Sequence, residues 1–322
     1  MIRKSLRQIV PMVWLLAAAT SVLQTAESQV VGPTTLDETV APGNNYDKAE
    51  FRLWLPEYGG PLQGILVLLP GSNGDGRPMV DDQVWQGFAS RHMLALVGCR
   101  LTDKPNDQPV IEQYVNASQG SGQALLDALA AFGRRSKHPE LASAPLLLWG
   151  MSAGGEFNYE FVAWKPERVI AFVVNKGGIY YSALVPRAAR NVPGMLFVGG
   201  KDLEFRTNTI VGLFAVNRRA GALWALAEEP GAAHVVGRSR DMSILFFEDV
   251  LGLRVEPPGA DSNQQPGLRP IAEKSGFVGD FKSKTFKAAA EGGTPNYPTA
   301  WLPTLRVARA WQALVTDLPF DQ

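Results

Sequence analysis

The sequence predicts an α/β architecture, a doubly wound and mostly parallel sheet with helices on both faces. Three observations carry this. Short, continuous apolar runs recur along residues 64–227, as in strands buried on both faces. Amphipathic stretches with helical spacing lie between them, and that alternation implies parallel pairing through right-handed crossovers. One early segment alternates apolar and polar residues instead, as an antiparallel strand does.

That early segment is 51–55 (FRLWL), expected to be an antiparallel edge strand. The apolar runs are 64–70 (GILVLLP), 94–98 (LALVG), 145–150 (PLLLWG), 169–174 (VIAFVV), 194–199 (GMLFVG) and 223–227 (LWALA). The helical stretches are 81–91, 121–134, 153–164, 207–220 and 238–251. Together they delimit a domain over residues 45–254. Residues 255–270, dense in Pro and Gly, read as a linker or loop. Residues 271–322 form an extension. Its helix is expected at 298–315, with Trp301, Leu305, Ala308 and Trp311 on one face. Burial of those tryptophans would dock the extension on the core. Trp54, Trp85 and Trp164 read as core or interface anchors.

Residues 1–28 read as an address. Arg3, Lys4 and Arg7 precede an apolar run over 9–19, and small residues follow at Ala26 and Ser28. This is the plan of a secretory signal peptide, with Ala26-Glu27-Ser28 as a cleavage site. The apolar run is short for a membrane span; an uncleaved anchor is the alternative. The expected location is periplasmic or extracellular.

Lys+Arg and Asp+Glu are both 31 in 322 residues, so the formal net charge is zero. A nucleic-acid partner, which calls for a basic excess, is not expected. Hydrophobic residues at 46% against 19% charged fit a globular protein. One cysteine and three histidines exclude a disulfide framework and a Cys-rich zinc site, and leave little for a His-rich one. No cofactor or metal is called for. Cys99 sits in an apolar stretch and reads as a buried thiol.

The chemistry sits at strand ends. Gly150-Met151-Ser152-Ala153-Gly154 matches G-x-S-x-G. The match gains weight because a strand precedes it and a helix follows, the setting a nucleophile elbow needs. A serine nucleophile requires a general base and a group that orients the base. His234 is the only histidine after Ser152, and it follows the run 223–227 through a turn-rich loop. Asp202 is the only aspartate between them, just beyond the run 194–199, with Glu204 as a nearby substitute. An oxyanion hole needs two convergent N–H groups. One falls to Ala153. The other falls to the loop 70–76 (PGSNGDG), with Ser72 as first choice and Asn73 next. The loop lacks the Lys-Ser/Thr of a phosphate cradle.

This constellation resembles the α/β-hydrolase superfamily over residues 45–254. Within it the chain is similar to the lidless esterases of the polyhydroxybutyrate depolymerase, feruloyl esterase and dienelactone hydrolase type; its run GMSAGG at 150–155 is of their type. The resemblance implies Ser152 as nucleophile, Asp202 as orienting acid, His234 as base, and Ala153 and Ser72 as oxyanion donors. One departure is Pro70-Gly71, where relatives often carry His-Gly. The stretch between residues 174 and 194 is too short for a large cap domain, which implies an open cleft and an accessible or polymeric ester. Within it Tyr180 and Tyr181 are candidates for lining the pocket, and equally for packing; Asn73 is a further candidate for substrate contact. The leading function is a secreted serine carboxylesterase. The alternatives are a peptidase of the prolyl-oligopeptidase type, for whose extra domain the length leaves no room, and a non-catalytic binding protein on a hydrolase scaffold.

Overall fold

The computed structural model describes residues 34–57, 60–106, 108, 111–256, 267–291 and 298–320. The expected signal segment 1–28 lies outside the described residues, as does 257–266 of the expected linker.

The central sheet has eight strands in the order β1-β2-β4-β3-β5-β6-β7-β8. They are β1 (Thr34–Val40), β2 (Lys48–Leu55), β3 (Gly64–Leu69), β4 (Leu94–Thr102), β5 (Leu146–Met151), β6 (Val169–Asn175), β7 (Gly194–Gly199) and β8 (Trp224–Glu229). β1 and β2 run antiparallel to their neighbours, and the pairs from β4 to β8 are parallel.

The expected edge strand 51–55 is the core of β2, but it is not an edge. β1 pairs outside it, so the sheet begins ahead of residue 45. β1 reads TTLDETV, with alternating half-buried and exposed residues and no apolar run. Cross-strand partners set its register: Asp37 lies opposite Arg52 and takes two hydrogen bonds from its guanidinium, at 2.7 and 2.9 Å.

Side chains alternate across each strand, and the two faces have separate cores. Ile65, Val67, Leu146 and Leu148 pack with α2 (Ser121–Ser136), α3 (Ala153–Trp164) and α5 (Glu204–Arg219). Leu66, Leu68, Leu147 and Trp149 pack with α1 (Gln83–Arg91), α6 (Ser239–Arg254) and α7 (Leu305–Val315). α4 (Arg187–Arg190) is one turn between β6 and β7. Trp54 and Trp85 are core residues as expected, Trp164 is half-buried, and Cys99 is buried.

The extension is a three-stranded antiparallel sheet, β10-β9-β11, followed by α7. Its strands are β9 (Phe277–Asp280), β10 (Thr285–Ala288) and β11 (Ala300–Leu302). The helix expected from residue 298 therefore starts later. Residues 300–302 are strand, and the helix begins after Pro303 and Thr304, whose side chain accepts from the Val307 N–H. Trp301 lies on β11 and Leu305 is exposed, so the expected four-residue face is not one helix face. Trp301 and Trp311 are nonetheless fully buried, and Trp311 Nε1 donates to Leu226 O on β8 at 2.7 Å. The extension is fastened to the main sheet.

Candidate active site

β5 ends at Met151 and α3 begins at Ala153. Ser152 alone makes the turn, at φ 53° and ψ −125°. A side-chain-bearing residue there costs about 1–3 kcal/mol, and such strain persists only where the surroundings over-determine it. Here the Ser152 N–H donates to Asn175 O at 2.8 Å, and Ser152 O accepts from Gly155 and Glu156. Gly154 is required by close approach: a Cβ on it would stand 2.5 Å from Pro70 O and 2.6 Å from Leu69 O. The α3 N-terminus thus sits tight against the end of β3, and Ser152 projects above the sheet.

Asp202 lies in the turn after β7, with its side chain 2% exposed. His234 lies in the loop after β8. Backbone bonds join these two segments: Gly200 N–H to Glu229 O and Lys201 N–H to Ala232 O, both 2.9 Å. The joining brings Asp202 Oδ2 to 2.8 Å from His234 Nδ1. Asp202 Oδ1 accepts from the Leu203 N–H at 2.7 Å and from Arg206 Nη1 at 3.3 Å. Burial alone would raise this carboxyl, but the bond to His234, the Leu203 amide and the charges of His234 and Arg206 outweigh it and hold it below its ordinary value. With Asp202 ionised, the ring donates from Nδ1 and keeps the Nε2 lone pair. Glu204, the possible substitute, opens α5 and takes a bond from Asn208 instead. His92 pairs with Glu248, and His138 with Glu140.

Ser152 is half-buried, and its hydroxyl has no hydrogen-bond partner among the described residues. The structure therefore joins Asp202 to His234 and leaves the bond from Ser152 to His234 unmade. Catalytic bonds are often long in a free enzyme and tighten when substrate binds.

The loop after β3 lies over Ser152, since a Cβ on Gly71 would be 3.7 Å from Ser152 Cβ. The N–H groups of Ser72 and Ala153 have no acceptor among the described residues. The Asn73 N–H is engaged by the Tyr114 hydroxyl at 3.2 Å. Asn73 Oδ1 accepts from the Asp103 N–H at 2.7 Å, and its Nδ2 donates to Ser72 Oγ at 3.2 Å. Asn73, itself at φ 53°, spends its polar atoms holding the loop. Ser72 is the freer of the two candidate oxyanion donors.

Tyr180 packs edge-on against Tyr159 at 5.0 Å between ring centroids, and its buried hydroxyl has no partner among the described residues. Tyr181 is exposed; its N–H donates to Glu160 Oε1 and its hydroxyl to Glu112 O. Glu160 and Glu156, one helical turn apart on α3, both reach back to this loop. Glu156 Oε1 accepts from the Gly178 N–H at 2.5 Å, while Oε2 is buried without a partner among the described residues. Burial pushes the Glu156 carboxyl up to about 7, against the Gly178 and Ile179 amides, which favour its ionised form.

Sequence reasoning passed over Glu156, Tyr114, Lys176 and Glu229. Two acids inside the mostly apolar run AGGEFNYEFVAW were a readable signal for Glu156. Nothing local marked the others.

A ferulic acid esterase matches this structure with a TM-score of 0.50 at 12% identity, over 68% of this chain and 97% of that one. A poly(3-hydroxybutyrate) depolymerase from Bordetella parapertussis gives 0.49 at 18% identity, over 71% and 92% of the two chains. An esterase from Pyrobaculum calidifontis gives 0.48 at 14%, over 68% and 85%. No protein-family model matches the sequence, and no curated protein does. The strand order, the strand–Ser152–helix turn and the likeness to the ferulic acid esterase define an α/β-hydrolase fold.

Proposed function

We propose that this chain is an exported serine carboxylesterase with Ser152, His234 and Asp202 as its triad. The observation that carries the reading is the 2.8 Å bond between Asp202 and His234, with Ser152 held on a strained turn at the end of β5, on the far side of β6 from β7. The basic, apolar and small residues of 1–28 support export.

In the first half-reaction Ser152 Oγ attacks the ester carbonyl carbon as its proton passes to His234 Nε2. Asp202 stabilises the imidazolium through Nδ1. The oxyanion accepts from the Ala153 and Ser72 N–H groups, which carry no other bond among the described residues. The carbon–oxygen bond to the alcohol then breaks, and the alcohol leaves with the proton from His234. In the second half, water gives a proton to His234 and attacks the acyl-enzyme. Collapse releases the acid and returns the proton to Ser152.

Two features favour an apolar, accessible ester. Only the one-turn α4 and loops separate β6 from β7, leaving no room there for a large cap. Leu203, Phe205 and Val235, next to the acid and base along the chain, are exposed. The test is hydrolysis of p-nitrophenyl esters of graded acyl length by the wild-type chain and by Ser152→Ala. Turnover is expected in the first and loss of nearly all of it in a folded second; equal turnover in both would refute the assignment.

A further inference from the structure

Beside the Asp202–His234 pair lies a second charged pair that the reaction does not consume. Lys176 follows β6 and is 0% exposed. Its Nζ is 3.3 Å from Glu229 Oε2 and 3.2 Å from Asn175 Oδ1. Glu229, at the end of β8, is buried as well. A buried ion pair is a poor device for stability, because desolvation of both ions offsets their attraction. The position of this one gives it another use.

Lys176 is anchored to the nucleophile side of the site. Asn175 O accepts the Ser152 N–H, and the Lys176 N–H donates to Phe197 O at 3.0 Å. Lys176 itself is held at φ 56°, where a lysine rarely sits. Glu229 is anchored to the base and acid. Its carbonyl accepts from Gly200, at the start of the Asp202 turn, and from Ala232 in the His234 loop. Its Oε1 accepts from the Arg238 N–H at 2.8 Å, beyond His234. Gly237, at φ 56°, lies so close that a Cβ on it would stand 2.5 Å from both carboxylate oxygens. Glu229 thus closes the loop 230–238 at both ends, by its backbone at one and its side chain at the other. The lysine stem passes the end of β7, 3.1 Å from where a Cβ on Gly199 would be.

We propose that the Lys176–Glu229 pair is a positioning element of the catalytic site, tying the end of β6, to which the Ser152 N–H is bonded, to the loop that carries the base. The proposal rests on the triad reading above. His234 Nε2 must meet Ser152 Oγ when substrate binds, and neither residue is held by a bond to the other beforehand. Lys176 and Glu229 fix the distance that this meeting requires. They are positioning residues and touch no substrate.

The test compares the wild-type chain with the double variant Lys176→Met, Glu229→Gln. This removes both charges together, keeps both side-chain lengths, and leaves an acceptor for Arg238. Saturation kinetics of fluorophosphonate labelling at Ser152 are read beside the melting curve. Wild-type labelling of Ser152 establishes the activated serine on which the triad reading depends; a failure of that reading would be seen there and not in the variant. The double variant is expected to melt within a few degrees of wild type, to bind the probe with unchanged affinity, and to label about 30–100-fold more slowly at saturation, as small misplacements of reacting groups do. Glu229→Gln alone serves as the second variant and should also slow labelling at saturation. A folded chain of either kind that labels at the wild-type rate would overturn the proposal, as would a loss confined to probe affinity.

Discussion

Replacement of Glu156 by glutamine isolates the pH response of one buried carboxyl. The side chain is 4% exposed, and Oε2 has no partner among the described residues. Its carboxyl titrates at about 7 in the folded chain against an ordinary 4.5. The folded state therefore holds this proton more tightly than the unfolded state does. The stabilisation is fully present below the ordinary value and is lost as pH rises through the folded one. At about 1.4 kcal/mol per pH decade between the two values, the loss is about 3 kcal/mol. The amide introduced by Glu156→Gln cannot ionise, and its oxygen keeps the bond from Gly178. The variant should therefore gain on wild type between pH 4.5 and pH 8. At about 2–4 °C per kcal/mol for a domain of this class, the Tm difference should grow by roughly 6–12 °C. Thermal unfolding followed by circular dichroism at both pH values measures it. The same difference at pH 4.5 and pH 8 would refute the reasoning.

Other consequences follow from the same geometry. Asp202→Asn removes the carboxylate that orients His234, and kcat should fall by about 10⁴-fold in a folded protein; a fall under about tenfold in steady-state assays would point to another orienting acid. Tyr114→Phe deletes the hydroxyl that holds the Asn73 amide. The oxyanion loop loosens, so kcat should drop by about fivefold with KM nearly unchanged, a neutral hydrogen bond being worth about 1 kcal/mol. Gly154→Ala puts a Cβ within 2.6 Å of two backbone carbonyls that cannot yield. It should cost about 3 kcal/mol or more, read by denaturant unfolding.

Much of the fold was legible because its strands are buried on both faces. Runs such as GILVLL and GMLFVG have no other reading in a chain that alternates them with helices. α3 was legible to the residue, since the glycines of the elbow open it and Lys165-Pro166 closes it. β1 was not. Its residues alternate, five of its seven are Thr, Asp or Glu on an edge, and the pairing that makes it a strand is with β2. β11 was hidden for a different reason. Trp301 and Trp311 fit a helical spacing, and only the contact of Trp301 with the small sheet separates them. Within the site, Asp202 and His234 were reached by elimination, because the chain offers no other aspartate or histidine in that interval. Their 2.8 Å contact depends on two loops zipped by backbone bonds, which no spacing rule contains. Lys176 and Glu229 lie 53 positions apart and meet only because β7 stands between their strands. Asn73 shows the opposite case, a loop residue of suitable chemistry whose polar atoms the fold has already used.

The central claim is that Ser152 is an activated nucleophile. Fluorophosphonate labelling with intact-mass measurement and peptide mapping tests it without knowledge of the substrate. The account predicts a single adduct on Ser152, absent from Ser152→Ala and slowed in Asp202→Asn. A folded wild-type chain that takes no adduct, or takes it on another residue, would contradict it.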